Sequence, residues 1–290
     1  MKKILITGGG GQLGKALAKE LSRREDIRLY LGIRNSSEVK NEEKVLLDIT
    51  NEKNCRDVLT RLKPNIIINC AAYTAVDLAE TNRAKAFAVN VTGTENLAKL
   101  AKEILAKLVH ISTDYVFGGE KGEPYTENDI PNPLNYYALT KVKSEEITIS
   151  YSSENMVFRT AWMYGEGKNF VNTILRLAQT QKELRVVNDQ WGNLTSSEAA
   201  AKAIVFLIDR NAKGIFHGCC EGKANWYEIA KKVLEMTGNN DVAVTPITSE
   251  EYNSPAKRPK YSVMENMRLK EIGYQMLGWE EELERWMKEK

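Results

Sequence analysis

Tyr136 and Tyr137 stand side by side just ahead of Lys141 in the run NYYALTK (135–141). A phenol with an ammonium beside it can deliver a proton near neutral pH. The positive charge favours the phenolate and draws the tyrosine pKa down from about 10. Helix geometry decides which tyrosine qualifies. Pro131 and Pro133 disfavour helix ahead of Leu134, so the spacing predicts a helix capped by Asn135. Four residues turn about 400°, which sets Tyr137 and Lys141 on one face, whereas five turn about 500° and carry Tyr136 roughly 140° away. Tyr137 is the candidate acid, and Tyr136 is expected to pack or to line the cleft.

A tyrosine four residues before a lysine occurs by chance on many helices, so its company matters. HISTDYVFGG (110–119) closes an apolar run and puts Ser112 and Thr113 at a strand's carboxyl end. Ligands bind at that edge in doubly wound sheets, and a hydroxyl there can hydrogen-bond to a carbonyl oxygen.

The elements that must position these groups alternate in type. KILIT (3–7), RLYLGI (28–33), KVLLD (44–48), NIIINC (65–70), KLVHIST (107–113) and MVFRT (156–160) read as strands. Helical periodicity fills most of the gaps, which predicts an α/β fold of Rossmann type: a doubly wound parallel sheet with a smaller C-terminal substrate-binding lobe. The dinucleotide-binding domain is expected over 1–160 and mainly the substrate lobe over 161–290, with some segments returning to the sheet. Helices are expected near 168–182, 197–209 and 226–237 and at the C-terminus, and Asn225 with Glu228 forms a capping-box pattern.

ILITGGGGQLGKAL runs directly from the first strand into the first helix. Gly8, Gly11 and Gly14, with Gln12 and Leu13 between them, fit a dinucleotide fingerprint: a tight turn, a backbone open to a diphosphate, and a helix N-terminus facing it. NAD sites usually place a carboxylate about twenty residues further on, and Arg34 stands there instead, with Ser36 and Ser37 beside it. A guanidinium suits a 2′-phosphate, so the cofactor expected is NADPH, with NADH as the alternative and a solvated loop arginine as the bland reading of Arg34.

Lys plus Arg total 41 against 39 acids in 290 residues, and a net charge of +2 argues against nucleic acid or a membrane surface as partner. The start MKKILITGGGG has too short an apolar run for a signal peptide, and no stretch approaches a membrane span. The four cysteines, Cys55, Cys70, Cys219 and Cys220, form no CxxC pair and fit a reducing cytoplasm. Two histidines, His110 and His217, lie in apolar strand-like runs and read as packed, so no metal site or histidine triad is expected.

Taken together, the glycine loop, NCAA, STDYVF and the Tyr137–Lys141 pair resemble the extended short-chain dehydrogenase/reductase family. Within it the chain resembles the reductases of dTDP-4-dehydrorhamnose over almost its full length. The matching stretches are GGQLGKAL, NCAAYTAVDLAE (69–80), HISTDYVFGG (110–119), NPLNYYALTK (132–141), RTAWMYGEGKNFV (159–171), VVNDQWGNLTSSE (186–198) and KRPKYSV (257–263). The resemblance implies NADPH-dependent reduction of the C4 keto group of a dTDP-sugar, with Thr113, Tyr137 and Lys141 catalytic. It implies Asp48 and Ile49 at the adenine, Ala71 and Ala72 along the cofactor groove, and Thr74, Val76, Tyr115 and Trp162 at the sugar. Charge and location add Arg258 and Lys260 at the diphosphate end. The alternatives are plain core for Trp162 and a surface charge for Arg258.

The chain departs from the family at Leu194, where a proline is usual, and at Leu78, where a lysine is common. Some members bind magnesium through glutamates at a dimer interface. Ala16 stands at one of those places and Glu198 at another, so no metal is expected, and the chain is read as a monomer or homodimer. The other readings are a reductase of 6-deoxy-talose stereochemistry and a non-catalytic NADP-binding regulatory subunit, like the regulatory β subunit of methionine adenosyltransferase.

Tyr137→Phe is expected to lower turnover by on the order of 10²-fold or more, the size of a lost general acid. Tyr136→Phe should lower it far less. Equal losses in steady-state NADPH oxidation would show the helical-face assignment to be wrong.

Overall fold

A computed structural model describes residues 1–35 and 43–289 of the chain. Six strands, β1 (Lys2–Thr7), β2 (Ile27–Ile33), β3 (Lys44–Leu46), β4 (Ile66–Asn69), β5 (Lys107–Thr113) and β6 (Met156–Thr160), join a seventh, Gly214–His217, in one parallel sheet. Across the sheet the order is Gly214–His217, β6, β5, β4, β1, β2, β3. The winding reverses between β1 and β4, which opens a crevice at their carboxyl ends.

These strands are continuous apolar runs because both sheet faces are covered. Ile4 and Ile6 of β1 face one core, with Leu17 and Leu21 of α1 (Gln12–Leu21) and the helix Ser197–Asp209. Leu5 and Ile67 face the other, with Leu59 of α2 (Glu52–Leu62) and Leu97. The strands expected from the sequence appear within about two residues of their observed ends, the third stopping early at Leu46.

After β4 the chain makes two short helices, α3 (Val76–Ala79) and α4 (Arg83–Phe87). It then passes through a π turn (Ala88–Thr92) into α5 (Gly93–Glu103), which bears Leu97. The wide turn places Asn90, which is buried, with its side chain between Tyr73 N (2.7 Å) and Thr140 Oγ1 (2.9 Å). Thr140 belongs to α6 (Tyr136–Tyr151), whose cap is Asn135: its Oδ1 accepts from Ala138 N (2.8 Å).

The second half of the chain divides. The helix Ser197–Asp209 packs on α1, and Gly214–His217 extends the sheet beside β6. A smaller layer holds the helices Phe170–Ala178 and Trp226–Met236 and the paired strands Glu183–Val187 and Ala243–Ile247. The Asn225–Glu228 capping box forms as the pattern predicts. No described helix is long and apolar enough to cross a membrane.

Candidate active site

A cleft of about 730 Å³ runs along the carboxyl edge of the sheet. Gly8, Gly11, Gln12, Leu13 and Gly14 line one end of it. Gly8 has φ +63°, and a Cβ there would meet Ala71 N at 2.8 Å; one on Gly14 would meet Gly8 O at 2.5 Å. Side chains at these places would force the loop open and push its backbone away from any ligand. α1 begins with no side-chain cap and no acid in its first turn, so its first N–H groups face the cleft free to bind an anion. This cradle fits the diphosphate of a dinucleotide.

Arg34, exposed at the end of β2, lines the same cleft; Ser36 and Ser37 lie outside the described residues. Asp48 is turned inward on its own loop, where Oδ1 accepts from Thr50 N (2.9 Å) and Thr50 Oγ1 (2.7 Å), and Ile49 follows it. Ala71 and Ala72 line the wall just past β4.

At the middle of the cleft lie Thr113, Tyr137 and Lys141. Thr113 ends β5, and the tyrosine and lysine are buried on one face of α6. Tyr136 is turned elsewhere: the Arg83 guanidinium sits 4.9 Å from its ring centre. Lys141 Nζ donates to Ile111 O (2.6 Å) and lies 3.0 Å from His110 Nε2. Burial pushes the lysine down to about 8.

The phenol differs from the sequence expectation. Burial raises the Tyr137 pKa, the charge of Asp114 raises it further, and a hydrogen bond to the Thr113 hydroxyl opposes both. Desolvation outweighs the expected pull of the ammonium, whose nitrogen is directed to the sheet edge. Tyr137 therefore holds its proton firmly.

Asp114 was not legible as a site residue. It lines the cleft, is buried, and accepts from Thr113 Oγ1 (3.0 Å) and Ser262 Oγ (2.5 Å). Burial pushes its carboxyl up to about 7 against these hydrogen bonds. Thr113 must release Asp114 before its hydroxyl can donate to a substrate oxygen.

Thr74, Val76, Tyr115 and Trp162 line the far end of the cleft. Trp162 has a left-handed backbone, φ +40°, a conformation that raises the energy by about 1–3 kcal/mol. It stacks on Trp226 at 3.7 Å between ring centres, and its ring lies where a Cβ on Gly192 would be, 2.5 Å from Cε2. Its buried Nε1 has no hydrogen-bond partner by geometry, though it lies near enough to Asp114 to offset part of that carboxyl's rise. Trp226 also lines the cleft; in the sequence it signalled only a helix start after Asn225.

Arg258 and Lys260 do not line the cleft. Arg258 forms a two-pronged ion pair with Asp77 (3.0 and 2.9 Å) and reaches the hydroxyl of Tyr115, which does line it. Lys260 is exposed, and it is its carbonyl that is engaged, by Trp191 N (2.8 Å). Leu194 is buried in the core and Ala16 lies on the buried face of α1, while Leu78 is exposed.

The chain matches the family model described as RmlD substrate binding domain over residues 1–290. It is 36% identical over 291 residues to the spore coat polysaccharide biosynthesis protein SpsK of Bacillus subtilis, covering 100% of this chain and 98% of that protein. It is 38% identical over 303 residues to dTDP-4-dehydrorhamnose reductase of Aggregatibacter actinomycetemcomitans, covering 98% and 97%. Its fold is similar to the crystal structure of dTDP-4-dehydrorhamnose reductase from Bacillus anthracis in complex with NADP, at TM-score 0.92 and 39% identity over 100% of both chains.

A lysine shifted down by burial has a definite linkage sign. The folded value, about 8, lies below the ordinary 10.5. Between the two the unfolded chain holds a proton that the folded one has released, so stability rises with pH across that window, and the full penalty applies below it. Lys141→Met should therefore stabilise the cofactor-free protein at pH 7 by on the order of 1–3 kcal/mol, fading as pH approaches the upper value. Denaturant titrations of both proteins at several pH values check it; a destabilised variant at pH 7 refutes it.

Proposed function

We propose, because the chain belongs to the RmlD substrate binding domain family, that it is an NADPH-dependent reductase of dTDP-4-dehydro-L-rhamnose that forms dTDP-L-rhamnose. The observation that carries this reading is the convergence of Thr113, Tyr137 and Lys141 in one cleft, between the glycine cradle and the aromatic wall of Trp162. The relatives' names and the NADP complex support it.

The bound cofactor supplies the hydride for C4 of the sugar. Tyr137 donates its proton to the oxygen that gains charge there. Thr113 turns its hydroxyl from Asp114 to that oxygen and orients it. Lys141, as an ammonium, binds the nicotinamide ribose and stabilises the phenolate that Tyr137 becomes. Asp48 and Ile49 hold the adenine end, and Arg34 binds the 2′-phosphate. Ala71 and Ala72 give the groove a smooth wall.

Thr74, Val76, Tyr115 and Trp162 enclose the sugar. Arg258, braced by Asp77, reaches it through Tyr115 and takes the diphosphate side; Lys260 stands further out as a long-range positive charge. Residues 161–290 are mainly the substrate lobe, with the helix Ser197–Asp209 and the strand Gly214–His217 returned to the cofactor domain. A cytoplasmic monomer or homodimer fits this role.

Purified protein given NADPH and dTDP-4-dehydro-L-rhamnose should consume both and yield the L-rhamno product by NMR. A talo product would keep the mechanism and change the product; absence of NADPH oxidation despite NADPH binding would sink the reductase reading. In the same assay Arg34→Ala should raise KM for NADPH and leave NADH nearly unchanged. Equal effects on both cofactors would remove Arg34 from the 2′-phosphate.

A further inference from the structure

Both histidines of the chain are buried, and His110 lies at the end of a polar row that crosses the sheet. The parallel register sets Thr7 beside Asn69 and Asn69 beside His110, one residue from each of β1, β4 and β5. Their side chains are joined. Thr7 Oγ1 donates to Asn69 Oδ1 (2.6 Å), and Asn69 Nδ2 reaches His110 Nδ1 (3.1 Å) and Thr94 Oγ1 (3.2 Å).

The orientation of the Asn69 amide is forced from both ends. Thr7 Oγ1 accepts from Ala71 N (3.3 Å), which leaves its proton for Asn69 Oδ1. Thr94 gives its proton to Asn90 O (2.7 Å), so it can only accept from Asn69. Asn69 therefore presents its NH₂ to His110, Nδ1 must accept, and the neutral ring holds its proton on Nε2.

That Nε2 lies 2.9 Å from Ser144 Oγ and 3.0 Å from Lys141 Nζ. Ser144 gives its own proton to Lys141 O (2.7 Å) and can accept from the ring. An ammonium at Lys141 sets N–H against N–H, whereas a neutral amine offers its lone pair. Burial keeps the imidazole well below its ordinary pKa, so the ring stays neutral. Two other groups face the amine. Glu145, one turn along α6 and held by Ser112 and Arg159, favours the ammonium. Cys70 stays a thiol, pushed up to about 12 by burial.

We propose that His110 is a positioning residue: with its tautomer fixed by Asn69, its Nε2–H sets where Lys141 Nζ sits and the pH at which that nitrogen takes up its proton. The importance of this for turnover rests on the role given to Lys141 above; the test does not. The row also ties the lysine to the glycine loop, because Thr7 is the last residue of β1 before Gly8.

Nitrogen-15 NMR of the histidine rings in cofactor-free protein tests it, and with two histidines only two ring systems appear. His217 is the internal reference: its Nδ1 faces Glu265 O (3.0 Å), which requires the opposite tautomer. His110 should show Nε2–H, with a step in its shifts near the lysine's value of about 8 that is absent in Lys141→Met. Asn69→Asp offers Nδ1–H an acceptor, exchanges the tautomer and turns Nε2 into an acceptor for the ammonium. The step should then rise by about one pH unit or more. An Nδ1–H tautomer in the unsubstituted protein overturns the proposal, as does a step that survives Lys141→Met or stays in place in Asn69→Asp. If the aspartate variant fails to fold, the first two measurements decide. No arm consumes substrate, so this result and that of the reductase assay are read separately.

Discussion

The buried ion pair of Arg159 with Glu145 fixes α6 to the sheet, and the site depends on that attachment. The two side chains are 1% and 5% exposed and meet at 2.9 and 2.6 Å, joining β6 to the middle of the helix. Ser112 donates to the same carboxylate from β5. Around the guanidinium, Phe117 lies with its ring centre 5.1 Å away and His217 presents Nε2 at 3.4 Å. Removing one member of such a pair leaves an uncompensated charge and destabilises by about 3–5 kcal/mol. Packed apolar side chains could hold the helix as tightly, but without fixing its rotation. Tyr137, Lys141 and Glu145 recur every four residues on one face, so the anchor of the third sets the direction of the other two.

Much of this was legible in the sequence because it is local. The glycine loop, the six strands, the Asn135 cap and the placing of Tyr137, not Tyr136, on the face of Lys141 each follow from a few neighbouring residues and the period of a helix or strand. The parallel order also follows from alternation, since a strand buried on both faces needs crossovers that only helices of this length provide.

What escaped the sequence is what distant segments do to each other. Asp114 reads as an ordinary acid until Ser262, 148 residues on, closes over it. Trp226 reads as the start of a helix until the chain brings it against Trp162, whose strained backbone no local pattern announces. Lys260 shows the converse: a basic run promised an anion site, yet the structure uses that residue's carbonyl and leaves its ammonium outside the cleft. Electrostatics failed in the same way. A lysine four residues from a tyrosine suggests a lowered phenol pKa, but depth of burial, invisible in spacing, reverses the sign.

That reversal accounts for how the cleft can work. Burial moves Asp114 up, Tyr137 up and Lys141 down, each toward its neutral form. A floor of this kind penalises any charge made upon it, a phenolate at Tyr137 included. The same low dielectric magnifies an ammonium nearby: two unit charges 4 Å apart interact by about 1 kcal/mol in water and about 4 kcal/mol at an effective dielectric of 20. One unit below its pKa of about 8, Lys141 is still roughly nine-tenths charged. The burial that makes the proton of Tyr137 hard to remove therefore also strengthens the field of a charged Lys141, which is what the proposed reaction asks of that lysine.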